Sequence, residues 1–235
     1  MVDFKTWQHV FKLDPAKEIT DEHLERICRS GTDAILIGGS DHVTLDNVLC
    51  LTERVQRYDV PLVLEVSAIA AVAPGFDYYF IPTVLNSDNP LWIKGLHHSA
   101  IREYGEILEW DELIPEGYCI LNADCKAAKL TGAKTDLTTE DVLAYARMAE
   151  HFFRLPIFYL EYSGMFGDME LAEKVKSVLC ETRLFYGGGI DSANMAKKAS
   201  AIADTIVVGN IIYENIEKAM ETVEAVAETA DESLY

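Results

Sequence analysis

The 235-residue chain has no C-x-x-C pair, no leader pattern, no bilayer-length apolar run and little positive charge. Its five cysteines, Cys28, Cys50, Cys119, Cys125 and Cys180, are odd in number and scattered. They suggest neither a disulfide framework nor a zinc site, and they suit a reducing cytoplasm. The start, "MVDFKTWQHVFKLDP", lacks the basic and apolar regions of a signal peptide. The most apolar stretch, "VLEVSAIAAVAPGF", carries Glu65 and is cut by Pro74 and Gly75. Lipid contact, such as a transient touch on a membrane surface, therefore has to come from a groove or a surface rather than a span. Twenty Lys and Arg oppose thirty-nine Asp and Glu, for a formal charge of -19. That field repels polyanions and argues against nucleic acid as a partner, so an anionic substrate needs a local cationic or amide-lined pocket.

What is present is apolar material for a large core, 49% of residues, arranged with a regular rhythm. Short runs rich in Val, Ile, Tyr and Phe fall at 9–13, 34–38, 62–66, 78–81, 118–121, 157–161, 184–187 and 205–209. Segments of helical periodicity fit between most of them, at 20–30 behind a Thr20 cap, 44–57, 89–104, 138–153, 168–180, 191–200 and from about 212 onward. Eight such units predict a closed (β/α)₈ barrel, with a doubly wound open sheet as the alternative. The third unit is defective, because Pro74-Gly75 cuts "SAIAAVAPGFD" before a full helix forms. No linker or low-complexity segment divides the chain, so it reads as one domain over 1–228 with a frayed acidic end at 229–235.

In such a barrel the chemistry sits at the carboxyl ends of the strands. The glycines of "YGGGI" (186–190) and "VGNII" (208–212) let backbone N–H groups approach a phosphate after the seventh and eighth strands, where a lone triple glycine would only mark a tight turn. Lys12 shares a strand face with Val10 and Asp14, so its ammonium either meets that phosphate or snorkels out at the strand end. Asp14, held before Pro15, and the Ser40-Asp41 pair offer hard oxygens suited to Mg²⁺. For Asp41 the turn-forming role is preferred. Tyr159 and Glu161 share one face of "IFYLE" and Phe158 and Leu160 the other, so an inward Glu161 either takes a proton from a substrate hydroxyl or pairs with Lys12. Adjacent residues on a helix diverge, so His97-His98 line a surface or groove and receive no catalytic role.

Together, "FKLDP", "DAILIGGSD", "FYLEYSG", "FYGGGI" and "VVGNIIYE" resemble the geranylgeranylglyceryl-phosphate and heptaprenylglyceryl-phosphate synthase family over nearly the whole chain, and look most like its bacterial branch. The resemblance implies a modified TIM barrel lacking its third helix, Mg²⁺-dependent prenyl transfer and a homodimer. It places the sn-glycerol 1-phosphate site on Lys12, Tyr159, Leu160, Glu161, Tyr162, Ser163, Gly164, Gly189, Gly209 and Asn210, and the magnesium ligands on Asp14 and Ser40. The implied reaction joins the 3-hydroxyl of glycerol 1-phosphate to C1 of a polyprenyl diphosphate, with heptaprenyl expected, and Glu161 is the candidate base.

Two rival functions share the phosphate cup: an isomerase or aldolase barrel, which needs a paired acid and base or a Schiff-base lysine, and a non-catalytic carrier of polyprenyl lipid. A long prenyl chain has to leave the barrel through an apolar opening, and the gap after the third strand is the expected exit. Beyond it, "LWIKGLHHSAIREYG" carries Gly95, Ser99, Ala100 and Gly105. These either leave a groove open, with Ala100 in its wall, or merely allow close helix packing.

Overall fold

Eight parallel strands close into a barrel in chain order. They are β1 (His9–Leu13), β2 (Ala34–Ile37), β3 (Leu62–Glu65), β4 (Tyr78–Val84), β5 (Leu113–Ile120), β6 (Ile157–Glu161), β7 (Arg183–Gly187) and β8 (Thr205–Val208). The ring shuts where β1 pairs with β8, Val10 opposite Val207. The computed structural model describes residues 3–232, the last three by backbone only.

Strand alternation builds two cores. Val10, Leu36, Val63, Phe80, Tyr118, Tyr159, Phe185 and Val207 fill the barrel. Phe11, Ile35, Leu64, Phe158, Leu160, Tyr186 and Val208 face the helices. At the amino end a short 3₁₀ turn, Phe4–Thr6, sets Phe4 edge-on against Tyr78 and Phe80 and plugs the barrel with rings. The opposite end is left for chemistry.

The helices are α1 (Asp21–Cys28), α2 (Leu45–Val55), α3 (Leu96–Tyr104), α4 (Lys126–Thr131), α5 (Thr139–Arg147), α6 (Met169–Lys176), α7 (Ala193–Ser200), α8 (Ile211–Glu214) and α9 (Ile216–Glu232). Thr20 caps α1 through the His23 amide, and Thr138 forms a capping box with Asp141 at α5. Between β3 and β4 stands only the 3₁₀ turn Ile69–Ala71, so the expected missing helix is found.

Four features depart from the sequence reading. β4 and β5 are longer than expected, because Pro82 in one and Pro115, Glu116 and Gly117 in the other hide the strand signal. Pro115 is tolerated beside β6 because that strand pairs with β5 only from Glu116 onward. α4 was not expected at all. The predicted helices at 89–104 and 138–153 are each a helix joined to a π turn, Leu91–Gly95 before α3 and Met148–Phe153 after α5. At the end expected to fray from 229, the α9 backbone is helical to Glu232, and 233–235 lie outside the described residues.

Candidate active site

A cavity of about 1170 Å³ opens at the carboxyl ends of the strands and gathers most of the predicted residues into one wall. Lys12, Asp14, Ser40, Tyr159, Glu161, Ser163, Gly164, Gly189, Gly209 and Asn210 all line it. Leu160 and Tyr162 do not. Leu160 is wholly buried in the helix-facing core, and the Tyr162 ring packs against Tyr186 at 5.9 Å, so a ligand in the cavity could meet only their backbone.

The expected phosphate cup consists of glycine backbone. Gly188 and Gly189 adopt φ of 138° and 61°, which side-chain-bearing residues rarely reach. A Cβ at Gly189 would strike the Met165–Phe166 backbone. Opposite, Asn210 Oδ1 accepts from Lys17 Nζ at 3.1 Å, and that ammonium lies 4.7 Å from the centre of the Tyr213 ring. Lys17 is thus a cation at the cup that sequence reading missed. Its position in the loop after β1 was the available signal.

Lys12 is paired with Glu65, not Glu161: Nζ donates to Glu65 Oε2 at 2.5 Å. The Tyr118 hydroxyl donates to the other Glu65 oxygen and its ring stacks on Tyr159 at 4.4 Å, so floor and walls are linked. Burial alone would lower the Lys12 pKa, but the carboxylates around it, Glu65 first and then Glu161, outweigh it and the net direction is upward. Lys12 is charged and faces the cavity.

Glu161 is buried at the end of β6, and its Oε1 accepts from the Ser163 amide at 2.6 Å. Burial raises its pKa, and Lys12 and Ser163 only partly oppose this. A raised carboxylate is the better proton acceptor near neutral pH. The Ser163 loop is held in turn by Asn122 Nδ2, which donates to the Ser163 carbonyl at 2.6 Å.

Asp14 is positioned by its backbone, whose N–H donates to the Tyr213 hydroxyl at 2.9 Å. Its carboxylate lies flush on Gly39, where a Cβ would stand 2.8 Å from Oδ1. Asp41 is turned aside into a solvated ion pair with Lys126 at 3.0 Å. His97 lines the cavity and bonds the Pro82 carbonyl at 3.0 Å.

The cavity continues through the gap after β3, past Ile69, Val72 and Phe76 to Leu96 and Ala100. No residue of α3 is buried, so its small side chains are not there for tight packing.

The profile of the PcrB family matches residues 2–227. The chain belongs to the PcrB family. Among curated relatives it is 62% identical to the heptaprenylglyceryl phosphate synthase of Lysinibacillus sphaericus, over 97% of this chain and all of that one. It is 63% identical to the enzyme of the same name from Bacillus licheniformis, over 96% and 99%. Among solved structures, (S)-3-O-geranylgeranylglyceryl phosphate synthase from Thermoplasma acidophilum, in complex with sn-glycerol-1-phosphate, superposes with a TM-score of 0.83 at 23% identity, covering 94% of each chain. The PcrB chain described here therefore shares that barrel fold. Among the described residues no helix is long and apolar enough to cross a membrane.

Proposed function

We propose that this chain is a prenyltransferase. It joins the 3-hydroxyl of sn-glycerol 1-phosphate to a long polyprenyl diphosphate, heptaprenyl by likeness to the named relatives, giving an ether-linked prenylglyceryl phosphate and diphosphate. This is a step of glycerolipid synthesis. One observation carries the reading: a single cavity joins an amide-lined phosphate cup, a buried carboxylate and an apolar channel out through the missing helix.

In this reaction the phosphate sits against Gly188, Gly189 and Gly209, with Lys12 and Lys17 supplying positive charge. Glu161 orients the 3-hydroxyl and takes its proton as the oxygen–C1 bond forms and the bond from C1 to diphosphate oxygen breaks. An allylic carbon tolerates positive charge, so holding the reactants in line matters more than strengthening the nucleophile. The stacked Tyr118 and Tyr159 rings shape the floor beneath that carbon.

The residues fit a bound Mg²⁺. Asp14 and Ser40 present hard oxygens to the cavity, and Gly39 leaves room beside the carboxylate. Among the described residues no group of three His, Cys, Asp or Glu could hold a metal alone. In this reading, water and substrate phosphate complete the cation's shell. When bound, such an ion neutralises charge on the departing diphosphate.

The reading includes a homodimer, for which Met148, Phe152 and Phe153 offer an exposed apolar face, and passing contact with a membrane at the cavity mouth, where Ile101 and Ile107 are exposed. Mass spectrometry of the product formed from sn-glycerol 1-phosphate and mixed C20, C25, C30 and C35 diphosphates tests the function. A C35 ether with released diphosphate is expected, and no ether from any donor overturns it.

A further inference from the structure

Glu116 takes no part in the reaction above, yet it lies at the heart of the barrel. It stands on β5 one inward position below Tyr118 and is 0% exposed. Neither of its carboxyl oxygens has a hydrogen-bond partner. Lys12, Glu65, Tyr118, Tyr159 and Glu161 line the cavity and Glu116 does not, so it sits beneath the floor they form.

Its surroundings restrict its charge. Its register neighbours, Pro82 on β4 and Ile157 on β6, carry none. The groups that act on it electrostatically are Glu65 from β3, Lys12 from β1 and Glu161 from β6, with the Tyr118 and Tyr159 phenols nearby. Lys12 is already committed to Glu65, and Glu65 is completed by Tyr118. An ionised Glu116 would thus be a second anion sealed from water with no donor, whereas a neutral acid costs far less there. Burial, followed by Glu65, pushes its carboxyl well above the ordinary range against the pull of Lys12. Both tyrosines are pushed upward as well, chiefly by burial, and keep their protons through the same pH range.

We propose that Glu116 is a positioning residue: an uncharged carboxylic acid beneath the floor whose neutrality keeps the Lys12 ammonium up at Glu65, within reach of the substrate phosphate. The phosphate half of this rests on the proposed function. When Glu116 loses its proton, two carboxylates compete for one ammonium and Lys12 is drawn down. The substrate then loses a charge-assisted hydrogen bond worth about tenfold in affinity.

Two measurements test this, one of them independent of any ligand. A carboxyl whose folded-state pKa is raised gives stability that is complete below its unfolded value and is lost as pH rises toward the folded one. Glu116→Gln cannot titrate, and its buried amide carries the same burden at every pH. The melting temperature of Glu116→Gln minus that of the wild type should therefore rise by about 3 °C or more between about pH 5 and pH 8. A difference that stays flat overturns the neutral acid. If the Glu116→Gln variant does not fold, the infrared spectrum of Glu161→Gln decides: a protonated-carboxyl stretch that persists near pH 7, where ordinary carboxyls have ionised, supports the proposal, and its absence there overturns it.

The second measurement is calorimetric binding of sn-glycerol 1-phosphate, with KM and kcat followed in parallel. Wild-type affinity should fall about tenfold as Glu116 ionises, through KM rather than kcat, while Glu116→Gln holds its affinity flat. An equal alkaline loss in both proteins overturns the link to Lys12. No binding at any pH, alongside the pH-dependent melting difference, refutes the substrate assignment and leaves Glu116 as the neutral neighbour of the ion pair.

Discussion

Lys12 Nζ lies 2.5 Å from Glu65 Oε2, and the pair meets over Gly38, the residue just past the end of β2. A Cβ there would stand 2.9 Å from Glu65 Cβ and 3.4 Å from Lys12 Cε. Strands β1 and β3 are thus tied over the strand between them.

Gly38→Ala should force that pair apart. The expected cost is about 1–3 kcal/mol in chemical denaturation, with a raised KM for glycerol phosphate and kcat nearly kept. Unchanged stability and KM would show that the pair yields without consequence.

Glu161→Gln should lower turnover by about 10²-fold or more while thermal unfolding barely moves, since the amide keeps the shape and loses the basic oxygen. Burial raises the wild-type carboxylate, and only its ionised form accepts the proton. The wild-type rate should therefore fall as pH drops through that raised value, and the variant's low rate should show no such limb. A variant with wild-type kcat removes Glu161 from the chemistry.

Chelation with EDTA should abolish turnover and added Mg²⁺ restore it. Asp14→Asn should raise the Mg²⁺ concentration for half-maximal rate by about tenfold, and Gly39→Ala should act in the same direction by crowding Asp14 Oδ1. Titrations of the metal at saturating substrate decide it, and full activity in metal-free buffer rejects the assignment.

Ala100→Trp should block the channel for long donors only. Ala100 faces the cavity from a helix with no buried residue, so the added bulk meets lipid space rather than a packed core. C35 transfer should fall sharply, C20 transfer survive, and the melting temperature stay within a few degrees. Uniform loss at every chain length would place the channel elsewhere.

The barrel was legible because its strands are short runs of Val, Ile, Phe and Tyr at even spacing, and the absent third helix because Pro74-Gly75 is a local signal. Tyr159 and Glu161 were legible from alternation alone. What escaped depends on closure of the ring. Nothing local in "LVLEV" says that Glu65 meets Lys12, because 53 residues separate them and only pairing through β2 brings them together. Glu116 was hidden for the opposite reason: its own strand was unreadable behind Pro115 and Gly117. In the contiguous motif carried onto β6, Leu160 and Tyr162 turn their side chains to the helix-facing core, since every second side chain points the other way, and only their backbone is left toward the cavity.

The helix that lines the proposed lipid channel has another consequence, in the order in which backbone hydrogens exchange with solvent. α3 is anchored by no buried side chain, whereas all of β6 is buried and paired on both sides. Amides of Leu96–Tyr104 should exchange through local opening, and those of Ile157–Glu161 only when the whole barrel comes apart. The wall against which a long tail would slide is then also the first to loosen, so a bulky lipid can enter sideways while the strand holding Glu161 keeps its register.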